Sequence, residues 1–195
     1  MRTVVRVAEA LHATVDLSLR WQGEELDRLA DGVHARLVQE CASMLGGLGW
    51  QTRVEVSFNH YGDRGRVDVL GLHPASGLLL VVEVKSAIGN TQDTIGRLDV
   101  KARLGEVLAA GAGWPAPTGV VPALVVGDSR TARRIVAEHD AIFARFVSRG
   151  RKALAWLRRP SGPPPSGLLW FVKLPDAHGA GVTRRGRVRL VKNGG

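Results

Sequence analysis

The chain has 195 residues, 45% of them apolar and 23% charged, enough to bury one globular core. A single cysteine, Cys41, excludes an internal disulfide framework and a cysteine-built metal site. The longest aliphatic run, Leu78–Val82, falls far short of the ~20 residues of a membrane span. The first residues carry Glu9 and Asp16 with no long apolar run, so no secretory signal or membrane partner is expected and the cytoplasm is the expected location. The net charge of +9 is uneven, at −2 over residues 1–126 and +11 over residues 127–195. A polyanion such as nucleic acid would find most of its counter-charge in the C-terminal third.

In chain order, Arg2–Leu11 has helical spacing and Thr14–Trp21 alternates as a strand. Glu24–Leu45 reads as a long amphipathic helix whose stripe includes Val33, Leu37, Val38, Cys41 and Leu45, stopped by Gly46-Gly47. Trp50–Phe58 alternates as a strand, Asn59–Gly65 reads as a polar turn, and Arg66–Leu72 and Leu78–Lys85 as two further strands. Pro74–Gly77 is the hairpin loop between the last two. Thr91–Ala110 is expected as one helix with Thr91 as its N-cap, followed by a Gly/Pro loop and a buried strand, Val120–Val126. Asp128-Ser129-Arg130-Thr131 opens a helix, and its polar groups are read as capping rather than as a phosphate site. Helical residues continue to about Arg159. A proline-rich spacer and a last core strand, Leu168–Lys173, precede a basic tail. The pattern predicts an α/β domain with a mixed central sheet flanked by helices.

The informative segment runs from Gly65 to Ala87. Leu78–Val84 is almost wholly apolar, as in a strand covered on both faces, yet it ends with Glu83 and Lys85, two apart and so on one face. If Pro74–Gly77 is the loop, positions summing to 151 pair across the ladder. Asp68 then stands opposite Glu83 with Cβ atoms roughly 5 Å apart. Two carboxylates that close repel, and one resists ionising. A divalent cation with oxygen ligands relieves the conflict, and the Val84 carbonyl offers a further oxygen. Lys85 can stabilise a phosphate. The competing reading is a surface hairpin with an ordinary Glu–Lys ion pair, which leaves charges at the end of a buried strand unexplained.

An Asp, a hairpin, and Glu-x-Lys closing an apolar strand resemble the motif of the PD-(D/E)xK nuclease-like superfamily, with its restriction endonuclease-like fold. The resemblance covers about residues 24–126; Arg66-Val67 precedes Asp68, so the family's proline is missing. It implies Asp68, Glu83 and Lys85 as catalytic residues. It also implies Asp68, Glu83 and Val84 as ligands of Mg2+ (or Mn2+), and hydrolysis of phosphodiester bonds with DNA as the expected substrate. The alternative is a catalytically inactive nuclease-like DNA-binding or transcription-regulatory protein. Accessory candidates are His34 and Glu40 on the first helix and Gln92, Asp99 and Lys101 on the helix after the motif. Glu55, His60 and Tyr61 could approach a substrate. Arg66, Arg103, Arg184, Arg185, Arg187 and Arg189 are candidate phosphate contacts. A homodimer is compatible with the sequence. Residues 1–22 resemble the end of a Cro/repressor-type helix-turn-helix, 23–175 form the nuclease-like domain, and 176–195 the basic tail.

Overall fold

A computed structural model of the protein describes residues 24–173. The helix-turn-helix-like segment expected over 1–22 and the basic tail over 176–195, with Arg184, Arg185, Arg187 and Arg189, lie outside the described residues. By chain contacts the molecule divides into Met1–Asp31 and Gly32–Gly195; every site residue below belongs to the second unit. No helix among the described residues is long and apolar enough to cross a membrane.

The elements are α1 (Glu24–Gly47), β1 (Gln51–His60), β2 (Asp63–His73), β3 (Leu78–Lys85), α2 (Thr91–Arg103), α3 (Gly105–Gly111), β4 (Gly119–Asp128), α4 (Arg130–Glu138), α5 (Asp140–Phe143), β5 (Ser148–Arg149), α6 (Arg151–Arg158) and β6 (Leu168–Lys173). One six-stranded sheet has the order β1-β2-β3-β4-β6-β5. The first three strands are antiparallel; β4, β6 and β5 add in parallel. The fold is therefore α/β with a mixed sheet flanked by helices, as the element order implies.

The apolar sequence of β3 follows from its place at the centre. Leu80, Val82 and Val84 pack with Leu37, Cys41 and Leu45 of α1 and with Leu157 of α6. Leu79 and Val81 pack on the other face with Ile95 and Leu98 of α2 and Leu108 of α3. A strand covered on both faces cannot alternate apolar with polar residues.

Three boundaries differ from the periodicity. The β1–β2 turn is not a seven-residue polar segment. The strands pair out to His60↔Asp63, and only Tyr61 (φ 45°) and Gly62 (φ 91°) turn the chain. Positive φ at both central residues matches the right-handed twist of a hairpin; the outer half of this hairpin is polar because it projects beyond the core. The cap of α2 is Asn90, whose Oδ1 accepts from the Asp93 amide at 3.0 Å, one residue before the expected Thr91. The helix expected over Thr91–Ala110 is broken at Leu104, where the chain presents Gly105 to β4. Ser129 caps α4, its Oγ accepting from the Ala132 amide at 3.1 Å, while Asp128 takes two hydrogen bonds from Arg133 at 2.7 and 2.8 Å. These groups are engaged internally, in agreement with the capping reading.

The close approach of Gly105 to β4 is testable. A Cβ there would stand 2.5 Å from Val120 Cγ2, on a β-branched side chain that is stiff in a strand. Gly105→Ala is expected to cost about 1–3 kcal/mol, measured as a lower Tm in thermal denaturation. An unchanged Tm would contradict the packing of α3 on β4.

Candidate metal and phosphate site

The register of β2 on β3 is the one read from the hairpin loop. Val69↔Val82, Leu70↔Val81 and Leu72↔Leu79 pair, which places Asp68 level with Glu83. The ladder, however, ends at Val69↔Val82. Past it the strands part, and the Val84 amide donates to Asp68 Oδ2 at 2.7 Å. Asp68 is thus not flush against Glu83 on one face. Its carboxylate takes the place of the acceptor that the Val84 N–H loses where the ladder stops. A buried backbone donor left without a partner costs about 1–3 kcal/mol, a cost that the Asp68 carboxylate removes.

Each face of the sheet brings further groups to this gap. From α1, His34 Nε2 stands 3.9 Å from Asp68 Oδ1. From β1, Glu55 joins them: one ligand atom each of His34, Glu55 and Asp68 lie within 4.8 Å of one another. Glu55 holds φ 57°, a left-handed conformation rare for a non-glycine residue in a strand. Its Oε2 is 2.5 Å from Arg66 Nε, in an ion pair without hydrogen-bond geometry. From β3, Glu83 is 3% exposed, and Lys85 Nζ lies 2.7 Å from its Oε1. From α2, Lys101, 8% exposed, donates a short hydrogen bond to Glu83 Oε2. Glu83 is therefore gripped by two ammonium groups.

The two carboxyl groups are driven apart electrostatically. Burial pushes Asp68 upward and the neighbouring charge of Glu83 adds to it; the Val84 N–H, Lys101 and His34 offset this only in part, so Asp68 lies above the usual Asp range. Burial also raises Glu83, but the charge of Lys101 and hydrogen bonds from Lys101 and Lys85 outweigh it and hold Glu83 below the usual Glu range. One acid is locked as an anion; its neighbour resists ionising beside it. Cys41 contributes no ligand, because burial and then the Asp68 charge push its thiol up to about 12.

A cation fits the His34–Glu55–Asp68 cluster. Ligands at right angles, about 2.1 Å from a cation, stand about 3 Å apart, so the cluster has less than about 2 Å to contract. Two carboxylates and an imidazole form a donor set for a divalent ion, and an added positive charge would stabilise the anion of Asp68. On the α2 side of the sheet, a groove of about 460 Å³ is lined by Glu83, Lys85 and Lys101, by Asp63, Arg64 and Arg66 of the hairpin, and by Asp93, Thr94 and Arg97 of α2.

The accessory candidates separate. His34 and Lys101 stand at the gap, and Arg66 lines the groove. Glu40 and Gln92 are exposed and belong to neither the cluster nor the groove lining. Asp99 and Arg103 line a separate cavity, where Arg145 bonds Asp99. The turn of α2 that points Lys101 inward points these two elsewhere. Val84 is fully buried and contributes its amide to Asp68. Arg64, Thr94 and Arg97 carry no motif, and only the pairing of β1 with β2 and the placement of α2 bring them to the groove.

The electrostatics give a stability test with a definite sign. The unfolded chain has an ordinary Asp68 and the folded chain a raised one, so the folded state holds this proton more tightly. That stability is present below the ordinary Asp range and is lost as the pH rises through the folded value. Asp68→Asn keeps an acceptor for the Val84 amide and removes the charge. In EDTA at pH 8 the variant is expected to melt above the wild-type protein, by about 2–4 °C per kcal/mol at this length. The gap should close as the pH falls towards 4. A variant melting lower at pH 8 would contradict the raised Asp68.

No family model matches the chain, and no curated protein matches it. Solved structures do. A crystal structure of a protein of unknown function is 13% identical, with 54% of this chain and 53% of that chain covered and a TM-score of 0.32. A repair endonuclease from Pyrococcus abyssi is 14% identical, with 80% of this chain and 49% of that chain covered and a TM-score of 0.32. The chain spans about half the length of the solved structures it matches.

Proposed function

We propose that the protein is a divalent-metal-dependent nuclease that hydrolyses phosphodiester bonds, with DNA as its substrate. The observation that carries this reading is the gap between β2 and β3. There a nearly buried Asp68, held to the Val84 amide, meets a His/Glu cluster on one side and the Glu83–Lys85–Lys101 group at the head of a cationic groove on the other.

His34, Glu55 and Asp68 would hold the ion, with Glu83 and Val84 supplying the further ligands that the superfamily resemblance implies. When bound, the ion activates a water and neutralises charge on the phosphate. The chain's own groups position the rest. Lys85, one-third exposed and next to Glu83, offers its ammonium to a phosphate oxygen in the groove. Lys101 is more deeply set and keeps Glu83 ionised. Arg64 and Arg97 give the strand cationic contacts that carry affinity without base choice. An imidazole in the donor set favours Mn2+ over Mg2+.

One observation favours the non-cutting alternative, a DNA-binding protein on the same scaffold: both lysines already engage Glu83 and leave it outside the three-ligand cluster. Cleavage decides between them. Purified protein with Mn2+ or Mg2+ is expected to nick plasmid or degrade linear DNA, and EDTA to stop it. Asp68→Ala and Lys85→Ala should each lower the rate by roughly 10²-fold or more, as loss of a metal ligand or a charge-stabilising group does. Full activity in both variants sinks the assignment; metal-independent binding without cleavage supports the regulator.

The ion itself is checked by thermal shift. Mn2+ at 100 times its Kd should stabilise the fold by about 2.7 kcal/mol. Mg2+ at equal concentration should give less, and His34→Ala should reduce the Mn2+ response. Equal shifts for both ions in wild type and variant would remove His34 from the donor set.

A further inference from the structure

The β1–β2 hairpin ends in a residue that the fold does not need there. Tyr61 occupies the first position of the two-residue turn at φ 45°, where Asn, Asp or Gly fits best and a bulky side chain is disfavoured. Tyr61 is 98% exposed, and its ring meets that of His60 in a T-shaped contact, centroid to centroid 4.5 Å. It contributes to neither apolar core.

The same hairpin forms one wall of the cationic groove. Phe58, Asp63, Arg64, Gly65 and Arg66 line it together with Glu83, Lys85 and Lys101. Phe58 lies across Gly65, its partner in the ladder, where a Cβ would meet the ring at 3.0 Å; glycine there leaves the ring seated along the groove. Arg64 makes no ion pair among the described residues, while Arg66 pairs with Glu55 and Arg97 with Asp93. The turn stands roughly 20 Å from Asp68 along the hairpin, at about 3.3–3.4 Å per residue. Running outward from the carboxylates, the groove presents the two ammonium groups, the half-buried Phe58 ring and the Arg64 guanidinium, with Asp63 and Asp93 also in its wall; Tyr61 stands beyond this lining, at the exposed tip of the same hairpin.

Cationic groups and an aromatic ring in the groove, with a second ring exposed at the hairpin tip beyond it, suit a strand whose bases are free to stack. Duplex bases are already stacked on each other and offer no face to a ring beside the helix; unpaired bases do. We infer that the hairpin is a stacking finger that selects nucleic acid with unpaired bases, a single strand or a displaced end, with Tyr61 as its outermost platform. This names the substrate class of the nuclease reading and takes its orientation from that reading, but the binding itself needs no cleavage.

The test is fluorescence anisotropy on the full chain in EDTA, with a labelled single-stranded oligonucleotide and a blunt duplex of the same length. The variants are Tyr61→Asn, which suits the positive φ and so leaves folding intact, and Tyr61→Phe, which keeps the ring. Wild type should bind the single strand more tightly than the duplex. Tyr61→Asn should weaken single-strand binding by roughly five- to 150-fold, the worth of one stacked base, and change duplex binding less than about twofold. Tyr61→Phe should stay within about twofold of wild type on both. Unchanged single-strand affinity in Tyr61→Asn overturns the inference, as does equal loss on both substrates. A wild-type protein that shows the single-strand preference yet cuts nothing with Mn2+ keeps the finger and removes the nuclease.

Discussion

The hydrogen bond from the Val84 amide to Asp68 Oδ2 is the point on which the site depends. A sheet covered on both faces cannot leave a backbone donor unpaired or a carboxylate unattended where two of its strands part. Asp68 answers the first demand and creates the second. Drawn into the gap, it is buried, it sits beside Glu83, and its carboxyl is pushed above the ordinary range. The fold tolerates this because Lys85 and Lys101 hold Glu83 and because His34 stands next to Asp68. A buried, raised carboxyl beside a second acid leaves a fold less stable than its sequence could make it.

The gap also sets the division of labour between the two faces. On the α1 side, His34 and Glu55 complete a donor set around Asp68. On the α2 side, the lysines and the hairpin arginines line the groove together with Asp63 and Asp93. The two groups of side chains meet where the β2–β3 ladder stops at Val69↔Val82, and Arg66, which lines the groove, also pairs with Glu55 of the cluster. The strained φ of Glu55 fits this arrangement: a residue in regular strand conformation at that place would follow the pleat, and a sparsely populated conformation persists where its surroundings demand it.

Much of this was legible in the amino-acid order. The unbroken apolar run of β3 placed it at the centre of the sheet, and the loop at Pro74–Gly77 fixed the register that sets Asp68 level with Glu83. What stayed hidden depended on three-dimensional detail that period and composition do not encode. Glu55 reaches the cluster through a positive φ on an otherwise alternating strand. On α2, helical spacing grouped Gln92, Asp99 and Arg103 with Lys101 merely near them, and only the packing of Ile95 and Leu98 on the sheet decides that Lys101 points inward. On α1, the apolar stripe was legible and His34 shares it while Glu40 sits beside it, but only the packing of α1 on the sheet brings His34 to Asp68. The polar hairpin read as a loop because strand periodicity signals burial, and this hairpin leaves the core.

The most direct measurement is the anomalous difference map of a crystal grown or soaked with Mn2+. A peak within about 2.5 Å of an Asp68 carboxylate oxygen, with His34 Nε2 or Glu55 as a second ligand, is the expected result. A fully ordered Asp68 with no peak beside it at saturating Mn2+, and the Val84 hydrogen bond unchanged, would contradict the account at its centre.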